Sequence, residues 1–145
     1  MSEPIRQQIE LELDQLQEVA TLAEQLSAVE DADRRPWDAA AAAKFIADLT
    51  SGLENLWKRR QSFLQLPIPD GPQSHAETLN AFLECDAFVD SIDDEFALRL
   101  KKYLRFRHRF FHGYGHEVNW EIVDEPLQLL PDTVTRLREM WMAWL

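Results

Sequence analysis

Residues 96–111 read FALRLKKYLRFRHRFF. At about 100° per residue, Phe96, Leu100, Tyr103, Leu104 and Phe111 fall on one arc of a helix. Ser91 or Asp93 can cap this helix, and Gly113 and Gly115 stop it. The same three- and four-residue spacing recurs outward. Ile5, Ile9, Leu13, Leu16, Val19, Leu22, Ala23 and Leu26 predict a helix over roughly residues 3–29. Pro36 suits the first turn of a second, running through Phe45, Ile46, Leu49, Leu53, Leu56 and Trp57 to about Ser62. Leu66 to Pro72 holds three prolines and a glycine, so it is a loop. Ser74 with Glu77 reads as a capping box opening a third helix to about Ala87. Asn119 can cap a short helix from Trp120, and Pro131 starts a last one ending in Met140 to Leu145, whose Trp141 and Trp144 are either core or an interface patch. No alternating strand pattern competes. The fold class is all-α, an antiparallel helical bundle of about five to six helices.

Composition narrows the classes. A chain of 145 residues, 46% hydrophobic, fits one domain over residues 1–145 with a core of its own. No stretch approaches the roughly 18 uninterrupted apolar residues of a membrane span, and no basic start followed by an apolar run marks a secretory signal. Cys85 is the sole cysteine and cannot form an internal bridge, so a reducing, cytoplasmic setting is expected. Four glycines argue against glycine-rich nucleotide loops.

The net charge of −11 is unevenly spread. Residues 1–33 carry nine acids and the single base Arg6. Between Arg99 and Arg109 stand Arg99, Lys101, Lys102, Arg105, Arg107 and Arg109 with no acid. A local positive field there can attract phosphates, whereas the acidic remainder repels long duplexes, so a nucleic-acid partner would be contacted over a small area. The plain alternative is a solvated helix face.

Arg107 breaks the packing rule, because it projects between Leu100 and Tyr103 on the apolar arc. A guanidinium keeps its charge, so there it needs an acid to reach or a purpose of its own. His108 lies at the edge of the arc, as a packed histidine or a site group. His112, five residues after Arg107, is about 140° away on an ideal helix. Beside Gly113 it can leave the helical path, and a twofold dimer of these helix ends would bring Arg from one chain to His from the other. His108, His112 and His116 are four apart, as zinc ligands on a helix would be, but Gly113 and Gly115 interrupt that stripe; no metal or other cofactor is expected. RNA carries its own nucleophile, the 2′-hydroxyl. An imidazole can take its proton, an imidazolium can protonate the leaving 5′-oxygen, and a guanidinium can stabilise the phosphorane.

The run Arg107-His108-Arg109-Phe110-Phe111-His112-Gly113-Tyr114 reads R-x4-H-x-Y. With the stretch Phe106 to Val123, and more weakly Leu53-Glu54-Asn55-Leu56 and the Pro-rich loop before Ser74-His75, it resembles the HEPN-domain ribonucleases. It is most similar to the HepT toxins of type VII HepT–MNT toxin–antitoxin pairs, over about residues 45–125. The resemblance implies a HEPN-type homodimer in which Arg107 and His112 of both protomers line one composite catalytic cleft. It implies metal-independent endoribonuclease activity on RNA, a transfer RNA among the candidates. His108, Arg105, Arg109 and Lys102 would then support catalysis or bind RNA. The partner implied is a minimal nucleotidyltransferase (MNT) antitoxin that transfers AMP to the motif tyrosine, here Tyr114. Each AMP adds charge and bulk at the cleft mouth. The chain departs from the pattern in carrying His116 where an apolar residue is expected, and the roles of His116 and His75 stay open. Two other readings remain, a non-catalytic HEPN module that dimerises or docks a nucleotidyltransferase, and a small nucleotide-binding helper.

Overall fold

The computed structural model describes residues 3–112 and 118–145, with the His112 side chain outside the description. Those residues form five α-helices and two single 3-10 turns, with no strand among them. Helix α1 spans Glu3–Ser27, α2 Asp38–Leu64, α3 Ser74–Glu84, α4 Asp94–His112 and α5 Trp120–Trp144.

The stripe Ile5, Ile9, Leu13, Leu16, Ala20 and Ala23 buries α1 against α2 and α5, whereas Leu22, expected in that stripe, is exposed. The Glu12 carboxylate accepts two bonds from Arg59, and Leu16 meets Gly52, so the two helices run antiparallel. A Cβ on Gly52 would fall inside the contact radius of Leu16 Cδ2 and Cγ. Glycine here sets how closely α1 and α2 approach. Helix α2 packs against each of the other four and is the hub of the bundle. It begins two residues after Pro36, where the Asp38 carboxylate accepts the Arg35 N–H at 2.7 Å. It ends with Gln65 in the left-handed region at φ 57°, and the Leu66 N–H reaches back to the Gln61 carbonyl. That six-to-one bond is the Schellman closure usually built on glycine.

Two expected caps are present. Asp93 accepts the Phe96 N–H at 2.8 Å to open α4, and Asn119 accepts the Ile122 N–H at 3.3 Å to open α5. The capping box of α3 is not formed. Ser74 is already helical, Gln73 occupies the cap position without a side-chain bond, and α3 ends at Glu84 rather than near Ala87.

The largest difference lies at the C-terminus. The expected short helix and last helix are one continuous α5, with Pro126 and Pro131 inside it. An interior proline costs about 3 kcal/mol because it removes a hydrogen bond and crowds the preceding turn. Here Val123, Leu127, Leu130, Val134, Leu137 and Trp141 form one buried stripe across both prolines. At about 1.5–3 kcal/mol per buried large apolar side chain, this packing outweighs the loss. Trp141 belongs to the core, stacked on Phe82 at 6.0 Å and tilted against Phe88 at 4.6 Å; Trp144 is half-buried beside it.

Helices α4 and α5 are antiparallel. Arg136 reaches Asp93, Arg99 reaches Asp132, and the Tyr103 hydroxyl donates to the Pro126 carbonyl at 2.7 Å. These ties fix the first half of α4 to the bundle. Its last turns run on beside the start of α3.

Candidate functional site

The prolines between Leu66 and Pro72 cannot propagate α2, and the chain re-enters a helix only at Ser74. The first turn of α3 is thereby set opposite the last turns of α4. Between them lies an open groove of about 690 Å³, within the range of ligand clefts, which runs from about 300 to 1,000 Å³. Pro72, Gln73, His75 and Ala76 form one wall, and Leu104, Arg105, Arg107, His108 and Phe111 the other. Two arginines and two histidines face this space, and no acid lines it among the described residues. In an acidic protein that segregation makes the groove attractive to an anion.

Arg107 is half-buried, and its guanidinium carbon sits 5.0 Å from the Phe111 ring centroid. Its buried Nε has no hydrogen-bond partner among the described residues. Arg99, two turns earlier, differs sharply. Its guanidinium bonds the Glu95 carboxylate, Asp132 at 2.7 Å and the Thr133 hydroxyl. Those carboxylates outweigh the cost of its partial burial and hold its pKa above the ordinary arginine value. The cluster of six bases therefore divides: Arg99 is a structural tie, while Lys101, Lys102, Arg105, Arg107 and Arg109 form no ion pair with a described residue.

The candidate residues are not all brought together. Arg105, Arg107 and His108 share the groove. Lys102 instead lines a small recess against α5 with Glu125 and Pro126, and Arg109 is exposed outside the groove. Phe111, expected on the apolar arc, is 59% exposed, because the arc outruns the bundle and its last member covers Arg107 rather than the core. His112 keeps helical backbone as the last residue of α4, so it does not leave the helical path. Its side chain, Tyr114 and His116 lie outside the described residues. Among the described residues no group of three His, Cys, Asp or Glu is placed to hold a metal, and no helix is long and apolar enough to cross a membrane.

His75 is the groove residue whose role the sequence left open. Its Nδ1 lies 2.6 Å from the Glu54 carboxylate on α2, 21 positions away. A Glu54 on one helix and a histidine after a loop carry no local spacing signal, so only their common appearance in the motif-bearing stretches hinted at them.

The fold and groove define a class: an all-α bundle that gathers guanidinium and imidazole groups along one open groove. The sequence pattern of a known family, described as HepT-like protein, matches residues 41–145, well over half of the chain. The chain belongs to the HepT-like family, a HEPN-type helical group. No curated protein and no solved structure matches it.

Proposed function

We propose that this chain is a HEPN-type endoribonuclease toxin that cuts RNA without a metal. The observation that carries the reading is Arg107, a half-buried guanidinium on the wall of a groove that no acid lines among the described residues, with its Nε unpaired and no carboxylate bound among those same residues. A structural arginine on this helix finds carboxylates, as Arg99 does. The 2′-hydroxyl attacks the adjacent phosphorus, Arg107 neutralises the charge building on the phosphorane oxygens, and His112 protonates the departing 5′-oxygen. The products are a 2′,3′-cyclic phosphate and a 5′-hydroxyl; DNA lacks the nucleophile and is inert.

Arg107 and His112 stand five positions apart on one continuous helix. Their directions differ by about 140°. This spacing supports a composite site in which a homodimer pairs the Arg107 of one protomer with the His112 of its partner. Arg105, His108, Arg109 and Lys102 would hold the flanking backbone by charge. A minimal nucleotidyltransferase antitoxin silences the toxin by transferring AMP to Tyr114.

The purified chain is expected to cleave RNA in EDTA, and His112→Ala to abolish cleavage while the helical circular dichroism is kept. Cleavage that requires a divalent metal, or that survives His112→Ala, refutes the reading. An Arg107→Ala change that alters assembly alone, with no RNA cut by the parent chain, identifies the non-catalytic module instead. Intact mass after expression with the neighbouring gene product should rise by one or more AMP units, and Tyr114→Phe should remove that gain.

A further inference from the structure

We infer that His75 is a catalytic residue of the same groove, its imidazole oriented by Glu54 so that Nε2 accepts the proton of the attacking 2′-hydroxyl. The assignment rests on the ribonuclease reading above and adds to it a second imidazole from outside the R-x4-H-x-Y run.

The geometry begins with Glu54. This carboxylate stands inside α2, the hub of the bundle, with its side chain only 12% exposed. Its hydrogen-bond partner is His75, whose side chain is 45% exposed. A shielded carboxylate at 2.6 Å from Nδ1 holds the proton on that nitrogen and fixes the ring plane. The lone pair is then on Nε2, across the ring from Glu54. The ring itself lines the groove that Arg107, Arg105 and His108 line from α4. Among the described residues, the charged and titratable groups that share the groove or bond His75 are one carboxylate behind it on α2 and two guanidiniums with one imidazole across from it.

Cleavage through the 2′-hydroxyl needs two proton transfers. One group takes the hydroxyl proton as the O2′–P bond forms, and another supplies a proton as the P–O5′ bond breaks. Each R-x4-H-x-Y run carries one motif histidine, His112, and the homodimer brings two to the cleft; His75 is the imidazole that has its own carboxylate and lines the groove with Arg107, so the first transfer is assigned to it. His75 Nε2 receives the first proton, and the imidazolium of His112 gives the second to O5′. Proton count and charge balance without a metal or co-reactant. The competing structural role is a clasp, in which the pair only fastens the first turn of α3 to α2.

The test is kcat/KM against pH on a synthetic oligoribonucleotide in EDTA, for the parent chain and for His75→Gln, Glu54→Gln and His112→Ala, with melting temperatures alongside. Loss of a general base lowers the rate about 10²- to 10⁴-fold. His75→Gln should show that loss and a flattened ascending limb of the bell, at unchanged melting temperature. Glu54→Gln should lose less and displace the ascending limb. His75→Gln cutting at the parent rate with both limbs intact overturns the assignment. So does a clasp signature, with both variants melting lower and their pH profiles keeping the parent shape. If the parent chain cuts no RNA, or His112→Ala cuts as well as the parent, the ribonuclease reading itself falls and this assignment with it. If the parent cuts, His112→Ala does not, and His75→Gln is unimpaired, the assignment of His75 alone is lost.

Discussion

The two halves of α4 are built from the same residue types and do different work. From Asp94 to Tyr103, Phe96, Leu100 and Tyr103 are buried, Arg99 is bound by two acids, and the Tyr103 hydroxyl is bonded to the α5 backbone. From Leu104 to Phe111, the apolar residues are half-buried or exposed and the cations have no acidic partner among the described residues. The difference comes from what lies opposite. The first half faces α5, which offers Asp132, Thr133 and a carbonyl, whereas the second faces the short α3 across open space. Satisfied charges contribute stability; unsatisfied ones on a groove are available to a ligand.

That contrast can be broken by substitution. Phe96→Ala should cost about 3–5 kcal/mol by denaturant titration, since it empties a fully buried site. Arg107→Ala should reverse the pattern, with RNA cleavage falling about 10²- to 10³-fold, or roughly 2.7–4 kcal/mol in the barrier. Its stability should move by less than about 1 kcal/mol, the scale of an exposed cation–π contact. An Arg107→Ala protein that loses several kcal/mol of stability but cuts at the parent rate while folded would erase the distinction between the halves.

Arg99→Ala should lower stability by about 1–3 kcal/mol, the scale of hydrogen bonds to charged groups, and leave the cleavage rate per folded molecule unchanged. The smallest effect belongs to Tyr103→Phe, about 1 kcal/mol near neutral pH for one lost hydrogen bond. Burial pushes the Tyr103 hydroxyl from its ordinary value of 10.0 up to about 12. The folded state thus favours the neutral phenol. Its contribution is complete below the unfolded value near 10 and fades as the pH climbs through 12. Melting curves between those limits should fall for the parent chain and fall less for Tyr103→Phe.

Much of the bundle was legible because helix formation leaves local marks. Asp93 and Asn119 cap where expected, the stripe of α1 faces inward, and the Pro-rich loop ends α2. Among the expectations that failed, three show how a local signal is overruled. Pro131 looked like a helix start, Ser74 like a cap and Phe111 like core, each a valid local inference. Packing between distant elements overruled two of them, through the buried stripe carrying α5 past both prolines and the bundle ending short of Phe111, while the local turn before α3 put Ser74 inside the helix. The site divides in the same way. Arg107 stood out from the wheel because a charge on an apolar arc is a local anomaly, whereas His75 stayed open because its partner is 21 positions away.

From the sequence by itself followed the all-α class, the segregation of acids from the basic helix, and the spacing of Arg107, His112 and Tyr114. Periodicity, caps and charge runs are properties of neighbours along the chain, so they survive without coordinates. Tertiary structure alone decided that α5 is unbroken, that Arg99 is tied to acids while Arg107 meets none among the described residues, and that His75 with Glu54 faces Arg107 across a groove. Those outcomes turn on which remote groups come within a few ångströms, where Coulomb attraction and desolvation act.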